Sequence, residues 1–134
     1  MYLLVHVSLL AEKSFTYYDG PKSWEDARNE CQSRGGNLAT IHSQAENDAA
    51  HDSLCGSKRA YIGLHDRSVE GAFEWVDGSD FNFANWAPGE PNSYGGTEED
   101  CVGFHVYGGE QWNDFSCSGY DGGDSIGYVC QDGT

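Results

Sequence analysis

The chain predicts a single α+β domain spanning residues 1–134, with two helices flanking small antiparallel sheets and one long irregular loop. Three observations carry this expectation. Two serine-led capping patterns, Ser23-Trp24-Glu25-Asp26 and Ser43-Gln44-Ala45-Glu46, each open a helical run. Short β-rich segments recur on both sides of those runs. Between Gly78 and Cys101 the periodicity lapses into Gly, Pro and Asn, and such a stretch in a compact domain is usually functional.

Taken in order, Met1 to Ala11 is apolar but lacks a basic n-region and is too short to span a membrane, so an ordered strand is expected there. Export would then rely on a leader removed before this numbering, or the chain is one domain of a longer secreted protein. Phe15 to Tyr18 reads as a strand closed by Asp19-Gly20-Pro21. A helix follows from Ser23 to the Gly35-Gly36 stop, with Trp24, Ala27 and Cys31 on one face. Asn37 to Ile41 is a short strand, and the second helix runs to about Leu54, with Gly56 past its end and Cys55 near the surface. Glu70 to Val76 alternates as a strand before the Asp77-Gly78 turn, and Phe81, Phe83 and Trp86 supply aromatic anchors. Cys101 to Tyr107 is a strand, Gly108-Gly109 a turn, and Gln111-Trp112 re-enters the sheet to present Asn113 and Asp114. Ser118 to Asp124 reads as a surface loop, and Ile126 to Cys130 as the closing strand.

Composition narrows the function. With Lys+Arg 7 against Asp+Glu 22 the net charge is −15, which repels phosphate backbones and anionic membranes, so neither nucleic acid nor membrane insertion is expected. Five cysteines in a small, loop-rich chain imply an oxidising, extracellular compartment, although spacing alone does not give their pairing.

The acids and amides near the long loop point to a hard cation. Calcium takes roughly 6–8 oxygen ligands from carboxylates, amide carbonyls and water. Glu90 with Asn92, Asn113 with Asp114, and Glu99 offer five, leaving positions open. Two neighbouring sugar hydroxyls suit those positions, since each gives a lone pair to the metal, donates its proton to a carboxylate and accepts from an Asn amide. Pro91 permits a cis bond to Glu90, which would aim Glu90 and Asn92 at one point. Either fragment alone is an ordinary polar turn; together they are specific.

The order Glu90-Pro91-Asn92, Glu99-Asp100-Cys101, Trp112-Asn113-Asp114 and Cys117 resembles the C-type lectin domain, a likeness extending from Phe15 to Cys130. Tyr61-Ile62-Gly63-Leu64 resembles the family's central core strand, usually Trp-Ile-Gly-Leu, with Tyr61 in place of Trp. The resemblance implies disulfides Cys31–Cys130 and Cys101–Cys117, leaving Cys55 as a buried thiol or as the link of a disulfide-bonded homodimer. It implies calcium as cofactor and, from the Glu-Pro-Asn variant, mannose, fucose, glucose or GlcNAc through equatorial 3- and 4-hydroxyls, with Tyr94, His105 or Tyr107 as possible refining contacts. For His105 a structural role is favoured. A weaker auxiliary ion would be held by Asp66, Glu70 and Asp100 with the backbone of Glu99; Ser93 stands where relatives often place Asp or Asn. Glu98 rivals Glu99 as a primary ligand because the preceding loop varies in length.

Other chemistry is not supported. Gly123-Asp124-Ser125-Ile126-Gly127 matches a nucleophile elbow but leads into a strand rather than from strand to helix. No His or Cys spacing suggests zinc, and Asp77 to Asp80 lacks the EF-hand ligand pattern. The domain is expected not to be an enzyme. The rival reading keeps the fold but binds protein, mineral or ice without sugar. Since calcium requires ionised Glu90, Glu99 and Asp114, sugar retention should be full near neutral pH and vanish as pH falls toward about 4–5. Binding that persists at pH 4, measured on a sugar column, would contradict this cage.

Overall fold

The structure is a computed structural model and describes residues 13–56, 58–91, 100–106 and 109–132. The expected N-terminal strand, Asn92 to Glu99, and Tyr107 with Gly108 lie outside those residues. Among the described residues a seven-stranded sheet has the path β1 (Phe15–Tyr18), β9 (Gly127–Gln131), β3 (Ala60–His65), β5 (Cys101–Phe104), β6 (Trp112–Phe115). Two short strands, β2 (Asn37–Leu38) and β4 (Glu74–Trp75), attach to β9 and β3. All pairs are antiparallel except β3 with β9, which run parallel through Ala60↔Gly127 and Tyr61↔Tyr128. Strand β9 is buried along its whole length because it is flanked on both edges and covered by a helix.

Both helices begin where the caps indicate. Helix α1 (Trp24–Ser33) has Ser23 as N-cap, its hydroxyl accepting from Asp26 N at 3.1 Å, and Gly35 ends it at φ +90°. Trp24, Ala27 and Cys31 are fully buried, and Trp24 Nε1 donates to Ile62 O at 2.9 Å, so the apolar stripe docks on β3. Helix α2 (Gln44–Asp52) is capped by Ser43 through Glu46 N at 3.1 Å. Glu46 reaches one residue further than a capping box does, accepting from His42 N at 2.7 Å. The helix stops two residues before the expected end, where Cys55 (φ 54°) and Gly56 (φ 139°) reverse the chain. Disulfide Cys31–Cys130 ties α1 to β9, and Cys101–Cys117 closes the 16-residue segment carrying β6. Loop-closure entropy makes each worth about 3–5 kcal/mol.

Four further expected elements differ. The strand from Glu70 is confined to Glu74–Trp75, because Gly71 N donates to Asp66 Oδ2 at 2.7 Å and Gly71 takes φ +83°, folding residues 66–72 into turns. Only Asn37–Leu38 pairs as a strand, yet Ala39 N still donates to Val129 O, and Thr40 N donates to the Gln131 side chain at 2.7 Å. Strand β5 ends at Phe104, before a turn at Val106. Ser118 to Asp124 is not a plain loop: β7 (Tyr120–Asp121) pairs with β8 (Asp124–Ser125) across Gly122-Gly123. Positive φ at both glycines is what a two-residue hairpin turn requires.

The Tyr61 substitution is more than retention of an aromatic. Its hydroxyl donates to Ser116 O at 2.6 Å and accepts from Gly119 N at 2.9 Å, joining β3 to the segment on both sides of Cys117. An indole N–H could not accept the second bond. Burial pushes the phenol up to about 12, so it keeps its proton. Tyr61→Phe should lower unfolding stability by about 1–3 kcal/mol in a urea titration, since two backbone groups lose their partner.

Candidate functional site

Strand β6 builds one part of the site. Trp112 is fully buried, and its Nε1 donates to Asn47 Oδ1 at 2.7 Å from helix α2. Its backbone N donates to Asn85 O at 2.8 Å, and its carbonyl accepts from Ala87 N at 2.9 Å. Glu90 N in turn donates to Ala87 O at 3.0 Å. Glu90 and the Asn113-Asp114 pair therefore sit on two segments joined at Trp112. The Glu90–Pro91 bond is cis, as the sequence suggested, and Gly20–Pro21 is cis as well. Asp114 is buried and Asn113 half-buried, with Asn113 Oδ1 enclosed and accepting no hydrogen bond among the described residues. Asn92 and Glu99, the other two expected ligands, are outside the described residues.

Asp66, Glu70 and Asp100 are brought together, each offering a carboxylate oxygen with all three atoms within 4.8 Å of one another. Asp66 follows β3 and Asp100 precedes β5, and Asp66 N donates to Asp100 O at 2.9 Å. The Gly71 turn carries Glu70 back toward them. Asp66 is 2% exposed, yet among the described residues its Oδ1 takes no hydrogen bond, and neither does the buried Oδ1 of Asp100. Burial first, then the charge of Asp66 and the adjoining Glu70 carboxyl, push Asp100 up to about 6. Buried carboxylate oxygens without donors are costly. One hard cation would satisfy Asp66 and Asp100 and a separate one Asn113, and all three have the oxygen chemistry calcium prefers.

The surrounding shell contains residues that sequence reasoning passed over. Asn47 holds Trp112 through its carbonyl oxygen while its amide donates to Glu110 O at 3.0 Å. Its one signal was an Asn on the buried side of the helix, three residues before Ala50. Asn85 donates to the same Glu110 carbonyl at 2.9 Å. His105 lies flat on Phe115, ring centroids 5.6 Å apart, with Nε2 3.2 Å from Asp121. Phe81, Phe83 and Trp86 do pack as anchors, with Phe83 and Trp86 edge-on to Trp112.

The family model described as "Lectin C-type domain" matches residues 20–131. The chain is 43% identical over 109 residues to the mouse low affinity immunoglobulin epsilon Fc receptor, covering 81% of this chain and 32% of the receptor. It therefore spans about a third of that relative's length. Among solved structures it is similar to the cow carbohydrate-recognition domain of CD23, determined in the presence of GlcNAc2Man3 oligosaccharide (TM-score 0.76, 35% identity, 89% of this chain and 86% of that one). It is also similar to a calcium-independent type II antifreeze protein (TM-score 0.76, 26% identity, 90% and 86% covered). With the two capped helices, the two disulfides and the mixed sheet, these likenesses establish that the chain belongs to the C-type lectin domain family and has its fold.

Proposed function

We propose that this chain is a calcium-dependent sugar-binding domain rather than an enzyme, acting outside the cell on mannose-type glycans. The observation that carries the reading is the set of enclosed oxygens without hydrogen-bond donors among the described residues, Asp66 Oδ1, Asp100 Oδ1 and Asn113 Oδ1, all on expected ligands. Glu90, Asn92, Glu99, Asn113 and Asp114 would hold the primary calcium, and Asp66, Glu70 and Asp100 the auxiliary one. When bound, the primary ion supplies a Lewis-acidic contact for sugar hydroxyl lone pairs. The chain's own part is to accept the hydroxyl protons on Glu90 and Asp114 and to donate from the amides of Asn92 and Asn113.

The antifreeze neighbour is named as calcium-independent, so the fold alone does not choose between a sugar and another surface. The residues favour sugar. A surface used without calcium has no need for amides paired with acids, and this chain has both Glu90-Pro91-Asn92 and Asn113-Asp114. Cys55 is exposed and forms no disulfide within the chain, which fits an interchain link. A dimer so joined would add avidity to a shallow, weak site. No helix among the described residues is long and apolar enough to cross a membrane.

Retention on mannose-agarose in millimolar calcium, with release by EDTA but not by galactose, is the expected outcome. Calcium binding without retention would shift the reading to a non-sugar partner. Asn113→Ala should weaken retention by about tenfold or more, because a ligand is lost. Its thermal stability should change little, since Asn113 Oδ1 has no hydrogen bond to lose among the described residues.

The Asp100 carboxyl gives a second test in metal-free protein. Its folded value of about 6 lies above the ordinary 3.8, so the unfolded chain releases this proton first. The group's cost to the fold therefore grows as pH rises from about 4 to about 6 and persists above it. In EDTA, Asp100→Asn should melt higher than the parent at pH 7.5 and level with it near pH 4. Added calcium should stabilise the parent and leave the variant behind.

A further inference from the structure

Strand β3 has Asp66 just past one end and Lys58-Arg59 just before the other, about 20 Å apart at the usual rise per residue. At the Lys58 end a groove of about 260 Å³ is lined by Tyr17, Lys58, Arg59, Val106, Asp124 and Ser125. Sites that enclose drug-sized ligands run to roughly 300–1,000 Å³, so this groove suits one small ring.

Its charges are arranged unevenly. Arg59 is held by Asp121 at 2.9 Å and by Asp124 at 3.4 Å. Asp121 also receives His105 at 3.2 Å, which leaves it engaged on two sides. Lys58, by contrast, makes no ion pair among the described residues, in a chain where acids outnumber Lys and Arg 22 to 7. Its ammonium lies 5.5 Å from the Tyr17 ring centroid, a cation–π contact that keeps it at the groove wall. The Asp124 side chain is 68% exposed, so it remains open to a hydroxyl donor beyond its Arg59 contact. Ser125 is exposed beside it and both donates and accepts.

A lysine without an acid among the described residues, an open carboxylate, a hydroxyl and the apolar edges of Val106 and Tyr17 match one kind of ligand. We propose that this groove binds an acidic sugar ring of the uronic acid class, its carboxylate on Lys58 and its hydroxyls on Asp124 and Ser125. A neutral hexose leaves Lys58 unanswered. A phosphate monoester, at about −1.5 to −2, presents more charge than one ammonium balances, facing Asp124. The groove shares no residue with the proposed calcium ligands, so the inference stands or falls separately from the calcium reading.

The test is an NMR titration of the isotope-labelled full chain with glucuronic acid in EDTA, where calcium-held sugar makes no contribution, with glucose in a parallel arm. Glucuronic acid should shift the amides of Lys58, Arg59 and Ser125, and glucose should not. Lys58→Ala should weaken the binding by about tenfold, the scale of a lost hydrogen bond to a charged group. Lys58→Arg, which keeps the charge and guards against a folding defect, should retain it. Shifts absent from this groove, equal shifts from glucose, or glucuronic acid binding unchanged in Lys58→Ala would each overturn the proposal.

Discussion

The site depends on how Trp112 is anchored. Its indole is fully buried, donates to Asn47 on α2, and meets Trp75, Phe83 and Trp86 edge-on at 5.8, 6.1 and 5.8 Å. Its backbone meanwhile exchanges hydrogen bonds with Asn85 and Ala87. One residue thus joins a helix, the sheet and the irregular loop, and a buried Trp of this kind contributes on the order of 3–5 kcal/mol. Asn113 and Asp114 follow directly. Their positions are therefore set by a side chain that could not itself hold an ion or a sugar.

The acids on the other side of the site work against the fold. Asp66, Glu70 and Asp100 converge within 4.8 Å on a chain already at −15, and Asp100 responds by holding its proton to about 6. Like charges this close repel, and burial deepens the cost. Such local conflict is expected where function rather than stability has chosen the residues. Rigid surroundings sustain it: a backbone bond from Asp66 to Asp100, the Gly71 turn, and the Cys101–Cys117 bridge beside Asp100.

The opposite end of β3 follows another logic. There Arg59 is matched by Asp121 and Asp124, so the hairpin β7–β8 is fastened to the sheet by charge as well as by Tyr61 near its base. That hairpin lies between the last two cysteines and adds a wall to the groove through Asp124 and Ser125. The same sheet so carries oxygen-rich surroundings at one end and a mixed-charge groove at the other.

Much of this was legible in the linear sequence, because the signals concerned act over a few residues. The serine caps, the buried stripe of Trp24, Ala27 and Cys31, and the Glu90-Pro91-Asn92 and Trp112-Asn113-Asp114 pairs are local patterns, whereas Asp66, Glu70 and Asp100 were proposed as ligands from likeness to the family. The disulfide pairing came from likeness rather than spacing, and the structure has the same bridges. What only the tertiary structure decided depends on partners distant in the chain. Asn47 and Trp112 are 65 residues apart, Tyr61 and Gly119 58, and Arg59 and Asp121 62. Local periodicity also misjudged strand lengths, since Asp66 captured the Gly71 amide and the Gln131 side chain took that of Thr40. A backbone donor pairs with whatever acceptor folding brings to it, and only the folded chain shows which one that is.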